Sequence, residues 1–119
     1  MILDQTLKLE IVLAGNVTAN QLEVQAHYID WQSTGIPTMP QTVRVATNQT
    51  TDVTVLAAPT FQTKIREIIR LSVYNKDTAT ATITLKTDDG TTERIILKEA
   101  LLTLVSLHFE KGRGFYKTL

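Results

Sequence analysis

The chain has 119 residues, of which 43% are hydrophobic and 20% charged, the size and composition of one globular domain. Twelve basic residues balance twelve acidic ones, so the formal net charge of zero excludes a global field that would attract nucleic acid or an anionic membrane. The absence of cysteine excludes disulfides, a thiolate nucleophile and thiolate-bound metal.

Alternation of apolar and polar residues predicts β-strands along most of the chain, because successive side chains of a strand point to opposite faces. The predicted strands span residues 6–13, 21–30, 42–47, 51–57, 65–75, 79–87, 92–98, 102–109 and 114–118. Short strands separated by turn residues indicate an all-β chain with about eight or nine strands. We therefore expect a single-domain antiparallel β-sandwich, jelly-roll-like, over residues 1–119, with residues 1–5 as a short N-terminal arm.

Two stretches are compatible with a helix as well as with a strand. Residues 62–71 are rich in charge, and residues 98–107 contain good helix formers. We predict strands for both, because the neighbouring strands need partners. The turn residues between strands are clearer: Asn75 and Asp77 can cap their own backbone, and Asp89-Gly90 is a strong hairpin signal.

The sequence offers few groups that could carry chemistry. His27 and Asp30 could form an oriented base, but no serine or cysteine lies in a nucleophile elbow beside them, and His108 lies between two apolar residues. Asp88 and Asp89 could hold a hard cation, although a turn is the favoured interpretation. We predict no catalytic, cofactor-binding or metal-binding residues, and no enzymatic activity.

Aromatic residues beside a proline-containing loop form the candidate interface. Trp and Tyr dominate the energetics of protein interfaces, although Trp31 could instead close one end of the core. The predicted interface residues are Leu3, Tyr28, Trp31, Ile36, Pro37 and Met39.

Five strings run along most of residues 7–117: LEIVLAGNVTANQLEVQAHYID, TTDVTVLAAP, IIRLSVYNKDTATATITL, DDGTTERIILKEALL and GRGFYK. Together they resemble small tailed-bacteriophage virion proteins of the β-sandwich or jelly-roll type. The most specific part is the turn Tyr74-Asn75-x-Asp77-Thr78-Ala79, followed by a threonine-rich strand and an Asp-Gly-Thr hairpin. The chain departs from the family pattern at residues 103–107, where a glycine-containing turn is expected, and this departure predicts a longer strand there.

The resemblance implies a non-enzymatic virion structural protein without a cofactor. Capsid decoration (cement) proteins, which bind and stabilise the capsid lattice, and tail, neck or baseplate components both use such folds. The implied partners are the major capsid protein or neighbouring virion proteins and further copies of the chain, with a trimer favoured. Nucleic acid and membrane are not expected as partners, and the expected location is the virion, assembled in the host cytoplasm.

Two other functions remain open from the residues themselves. A β-sandwich can serve as a carbohydrate- or receptor-binding module, and Tyr28 and Trp31 near a loop would suit that role. A small hydrolase centred on His27 and Asp30 is the third alternative.

Overall fold

A computed structural model describes residues 1–60 and 62–119 and contains ten β-strands, with no helix in this part of the chain. The strands are β1 (Ile2–Asp4), β2 (Lys8–Leu13), β3 (Glu23–Gln32), β4 (Gln41–Ala46), β5 (Val53–Leu56), β6 (Thr63–Tyr74), β7 (Ala81–Asp88), β8 (Glu93–Leu101), β9 (Ser106–Glu110) and β10 (Gly114–Thr118). They form two antiparallel sheets. The major sheet has the order β10-β9-β6-β3-β4, with β1 also paired to β6, and the minor sheet has the order β5-β2-β7-β8.

The core lies between the two sheets, and most side chains that point inward from the strands are apolar. Leu9 and Ile11 of β2 are fully buried from the minor sheet, and Val24 and Ala26 of β3 are buried from the major sheet. The buried hydrophobic residues form one cluster that draws on both sheets. The predicted antiparallel β-sandwich is therefore confirmed, with ten strands rather than eight or nine.

The N-terminal residues do not project from the sandwich as an arm. Residues 2–4 form β1, which pairs with Ile65–Glu67 of β6, and Leu3 is 0% exposed. The physical reason is the length of β6, which spans 12 residues, whereas β9 pairs only with its second half. β1 pairs with the first half of β6, along the edge that β9 leaves free.

Both stretches of ambiguous propensity follow the strand prediction in part. Residues 63–71 lie in β6, residue 62 lies in the turn before it, and residues 98–101 complete β8. The strand predicted from residue 102 was wrong at its start, because residues 102–105 form a turn before β9 begins at Ser106. Leu104 adopts a positive φ of 62° in this turn, and its backbone N–H donates to the Asn75 carbonyl at 2.7 Å.

The turn at residues 75–77 holds three connecting segments together. The Asp77 carboxylate accepts hydrogen bonds from the backbone N–H groups of Thr18 (2.9 Å), Ala19 (2.7 Å) and Asn20 (3.0 Å). The Asn75 side chain donates to the carbonyls of Ala79 and Leu101, and the Thr103 hydroxyl donates to the Asp77 carbonyl. We call this cluster the turn junction. It explains how a turn without glycine forms at Leu104.

Acid is expected to weaken the turn junction. The hydrogen bond from Thr18, followed by those from Ala19 and Asn20, lowers the pKa of Asp77 to about 2. Because the folded pKa lies below that of the unfolded chain, the stabilisation is complete above pH ~4 and is lost as the pH falls toward 2. Asp77→Asn should lower stability at neutral pH and flatten the pH dependence between 4 and 2, as measured by urea midpoints. An unchanged acid profile in this variant would contradict the role of Asp77.

Leu104→Gly is expected to stabilise the protein by about 0.5 kcal/mol. Glycine removes the ~1–2 kcal/mol that a left-handed conformation costs an L-residue, and its greater freedom in the unfolded chain offsets part of this gain. Leu102→Gly is the matched control, because Leu102 is 63% exposed and Leu104 is 60% exposed, but Leu102 lacks a positive φ. We expect the control to lower the urea midpoint. Equal destabilisation by the two variants would show that Leu104 is not strained.

Candidate interaction surface

One end of the outer face of the major sheet carries several apolar side chains. Ile29 and Trp31 lie on the outer parity of β3, where Trp31 pairs in register with Ile65 of β6. Ile29 pairs with Glu67, which in turn pairs with Ile2 of β1. Side chains directly opposite on adjacent strands are about 5 Å apart, so these residues form adjoining rows across three strands.

The connection from β3 to β4 extends this surface. Its backbone folds back on the end of β3: Gln32 N–H donates to the Ile36 carbonyl at 3.1 Å, and Thr38 N–H donates to the Asp30 carbonyl at 2.8 Å. Pro37 forms an isolated bridge with Trp31. The fold-back leaves Ile36 63% exposed and Met39 83% exposed. We call the whole surface the apolar end; it comprises Ile2, Ile29, Trp31, Ile36, Pro37, Met39 and Ile65.

The structure brings together four of the six predicted interface residues: Trp31, Ile36, Pro37 and Met39. The other two side chains point to the inner face of the sheet, where Leu3 is buried and Tyr28 half-buried. Leu3 is fully buried, because its side chain points from β1 toward the core. Tyr28 packs against the core, donates its hydroxyl hydrogen to Gln41 Oε1 at 2.8 Å, and has the Arg66 guanidinium 4.7 Å from its ring centroid.

A buried ion pair supports the apolar end from inside the sandwich. Arg66 of β6 binds Asp30 of β3 with two hydrogen bonds, of 2.8 and 3.1 Å, and also donates to the Ala57 carbonyl at 2.9 Å. The hydrogen bond to Asp30 raises the pKa of Arg66. Two parallel hydrogen bonds fix the relative orientation of the partners, so this pair holds β3 and β6 rigidly beneath the exposed residues.

His27 and Asp30 do not form the dyad that a hydrolase would need. A spacing of three places them on opposite faces of β3, and the Asp30 carboxylate is bound to Arg66. His27 instead contacts Gln25 Nε2 and Thr42 Oγ1, both at 2.9 Å. His108, the second histidine, contacts Thr118 Oγ1 at 2.8 Å.

Carboxylates also gather on the outer face of the minor sheet. Single oxygens of Glu10, Asp52 and Glu93 lie within 4.8 Å of one another, a geometry compatible with a cation. Lys86 supplies a positive charge at this position, with Nζ 2.9 Å from Asp52 and 3.0 Å from Glu93. Burial opposes the charged form of Lys86, but the hydrogen bonds and negative charges of Asp52 and Glu93 together outweigh burial and raise the pKa of Lys86. Burial raises the pKa of Glu10. The cluster is therefore a charge network with its own internal cation.

The adjacent aspartates after β7 form a turn, as the favoured interpretation predicted. Asp88 Oδ1 accepts a hydrogen bond from Gly90 N–H at 2.8 Å, and Asp89 Oδ1 accepts from Thr91 and Thr92. Hydrogen bonds from the backbone, first that of Thr92, lower the pKa of Asp89. These carboxylates stabilise the hairpin between β7 and β8.

Comparison of the chain with protein-family models, curated proteins and solved structures gave no match. Within residues 1–60 and 62–119, no helix has the length and apolar character needed to cross a membrane.

Proposed function

We propose that this chain is a non-enzymatic structural protein that docks onto a neighbouring protein through its apolar end. The observation that carries the proposal is the exposure of Ile36 and Met39 beside Trp31 on a connection anchored to β3. Exposed apolar side chains grouped on one surface are typical of protein-interaction sites, and a rigid surface loses little entropy on binding.

The proposal assigns the chain to a tailed-bacteriophage virion, because its sequence resembles structural proteins of such particles. In that setting the chain is a capsid decoration protein, and the apolar end contacts the major capsid protein. A tail, neck or baseplate component would use the same surface, so location and copy number on the particle separate the two roles. Three copies around a quasi-threefold position would contact one another through heterologous interfaces. Light scattering of the purified chain tests that trimer.

A carbohydrate- or receptor-binding role centred on Tyr28 and Trp31 has less support. The two side chains lie on opposite faces of β3, because their positions differ by three, an odd number, and Tyr28 packs against the core. They therefore cannot form one stacking platform.

The double variant Ile36→Ser/Met39→Ser tests the docking proposal. We expect it to bind at least about tenfold more weakly than the wild type to particles of the encoding phage assembled without this chain. Co-sedimentation measures the bound fraction. Ile95→Ser is the matched control, since Ile95 is 67% exposed on β8, far from the apolar end, and we expect it to bind normally. Equal binding by the double variant and the wild type would refute the proposal.

A further inference from the structure

The minor sheet ends in a long strand with one free edge. β8 has nine residues and pairs with β7 alone among the described strands, so alternate backbone N–H and C=O groups along its other edge have no strand partner. The other strands at sheet edges are shorter: β4 has six residues, β10 has five, β5 has four and β1 has three. β8 is therefore the longest edge that is open to strand pairing.

Apolar side chains are exposed along this edge. Ile95 is 67% exposed and Ile96 is 37% exposed, and Leu102, directly after the strand, is 63% exposed. Exposed apolar groups beside backbone groups without partners favour the addition of another strand. Lys98 also lies on β8, and a lysine on an edge opposes pairing where it meets a like charge. The register of any pairing therefore decides whether Lys98 is tolerated.

A β-bulge determines the face on which each side chain of β8 lies. Leu97 pairs with Leu85 and Ile95 pairs with Lys86, so Ile96 is one extra residue on the β8 side. Along β7, Leu85 and the other odd-numbered residues point to the core, whereas Lys86 and the other even-numbered residues point to the outer face. Residues directly opposite one another share a face, so the alternation along β8 changes phase at the bulge.

This change of phase selects one register for pairing between two copies of β8. Ile95 and Lys98 lie on the outer face, and Arg94 and Glu99 lie on the inner face. Two copies related by a twofold axis pair well when opposed residues share a face, and opposing Arg94 to Glu99 and Ile95 to Lys98 achieves this over residues 93–100. A shift by one residue in either direction would oppose side chains of different faces.

The selected register is self-complementary in charge. Symmetry produces the Arg94–Glu99 pair twice, no like charges are opposed, and the aliphatic stem of each Lys98 lies along an isoleucine. Arg94 is exposed and forms no ion pair within residues 1–60 and 62–119. Glu99 Oε1 lies 2.7 Å from Lys117 Nζ, which positions the carboxylate, and a carboxylate can accept further hydrogen bonds from a guanidinium.

We propose that β8 pairs antiparallel with β8 of a second copy of this chain, so that two four-stranded minor sheets become one continuous sheet. The apolar end stays free, because it lies on the major sheet and the connection from β3 to β4. A contact of this kind is isologous and joins copies two at a time, whereas a trimer uses heterologous contacts, so one assembly can contain both. The pairing does not depend on the docking role of the apolar end.

Charge reversal tests the pairing by sedimentation equilibrium. Arg94→Glu and Glu99→Arg each oppose like charges twice, so each variant alone should dimerise at least about tenfold more weakly than the wild type. Mixed in equal amounts, the two variants oppose unlike charges again, and a heterodimer should form with nearly the affinity of the wild type. Lys64→Glu is the matched control, because it makes the same charge change at an exposed position on β6 and should dimerise normally.

Cysteine cross-linking tests the register, because the chain has no cysteine of its own. Ile95→Cys and Lys98→Cys place single thiols at opposed positions, so an equal mixture of the two variants should form a disulfide-linked dimer under mild oxidation. Each variant alone should form at least about tenfold less, since its two thiols would lie too far apart in this register. A non-reducing denaturing gel measures the linked fraction.

Three outcomes would overturn the proposal: a wild-type chain that stays monomeric at millimolar concentration, charge-reversed variants that dimerise no better mixed than alone, or cysteine variants that cross-link equally well mixed and alone. Ile36→Ser/Met39→Ser should dimerise normally, so failure of the strand pairing and failure of the docking proposal can be told apart. Ile95→Ser keeps every backbone group and both charges of the pairing and should still dimerise, so it remains a control for docking.

Discussion

Asn75→Ala is expected to lower the free energy of unfolding by about 3 kcal/mol, the largest effect of the single substitutions considered. Asn75 is 0% exposed. Its Nδ2 donates to the carbonyls of Ala79 (3.0 Å) and Leu101 (2.9 Å), and its Oδ1 accepts from Asp77 N–H (2.9 Å). Alanine would leave these backbone groups without their partners at the centre of the turn junction. Urea unfolding followed by the fluorescence of Trp31 measures the change.

Asn16→Ala is the control for this substitution, because Asn16 is exposed and its side chain forms no hydrogen bond within the described residues. We expect a change within about 0.5 kcal/mol. A loss below about 1 kcal/mol for Asn75→Ala would mean that water replaces the lost hydrogen bonds. The turn junction would then not be the structural centre that its geometry indicates.

Asp30→Ala is expected to lower the free energy of unfolding by about 2 to 3 kcal/mol. The Arg66 and Asp30 side chains are only 13% and 10% exposed, so the substitution leaves a largely buried guanidinium without its counter-charge. The double variant Asp30→Leu/Arg66→Met removes both charges and should recover most of the loss. Thermal and urea unfolding of the three proteins provide the comparison.

Glu23→Ala is the matched control, since Glu23 and Lys76 form an ion pair of the same 2.8 Å length with side chains 59% and 41% exposed. Breaking an exposed pair should cost less than about 1 kcal/mol. If Asp30→Ala and Glu23→Ala destabilise the protein equally, burial does not distinguish the two pairs, and the support beneath the apolar end is weaker than proposed.

The strands could be predicted from the sequence because their signal is local. The alternation around Leu9 and Ile11 specifies which face is buried without reference to a partner strand. At residues 98–101, strand pairing overrides helix propensity, since β8 completes the edge of the minor sheet beside β7. The turn at Leu104 could not be predicted, because it depends on hydrogen bonds to Asn75 and Asp77, far away in the sequence.

The candidate surface was predictable to the extent that its residues are neighbours in sequence. Trp31, Ile36 and Met39 follow one another along a single hairpin, whereas Ile2 and Ile65 reach the same surface only because β1, β6 and β3, which are distant in sequence, pair with one another. Tyr28 was assigned to the interface although it shares the parity of Ala26, which is buried. At that position, the alternation of side chains along β3 predicts the inward orientation of Tyr28 better than its aromatic character does.

The most direct test of the docking proposal is a cryo-EM map of the phage particle to which the proposal assigns this chain. We expect density for the sandwich at repeated positions on the capsid lattice, with the apolar end, including Met39 and Trp31, facing the shell. Density only at the tail would assign the chain to the tail, neck or baseplate instead. A particle without the sandwich, or one on which the apolar end faces solvent and another surface makes the contact, would contradict the docking proposal.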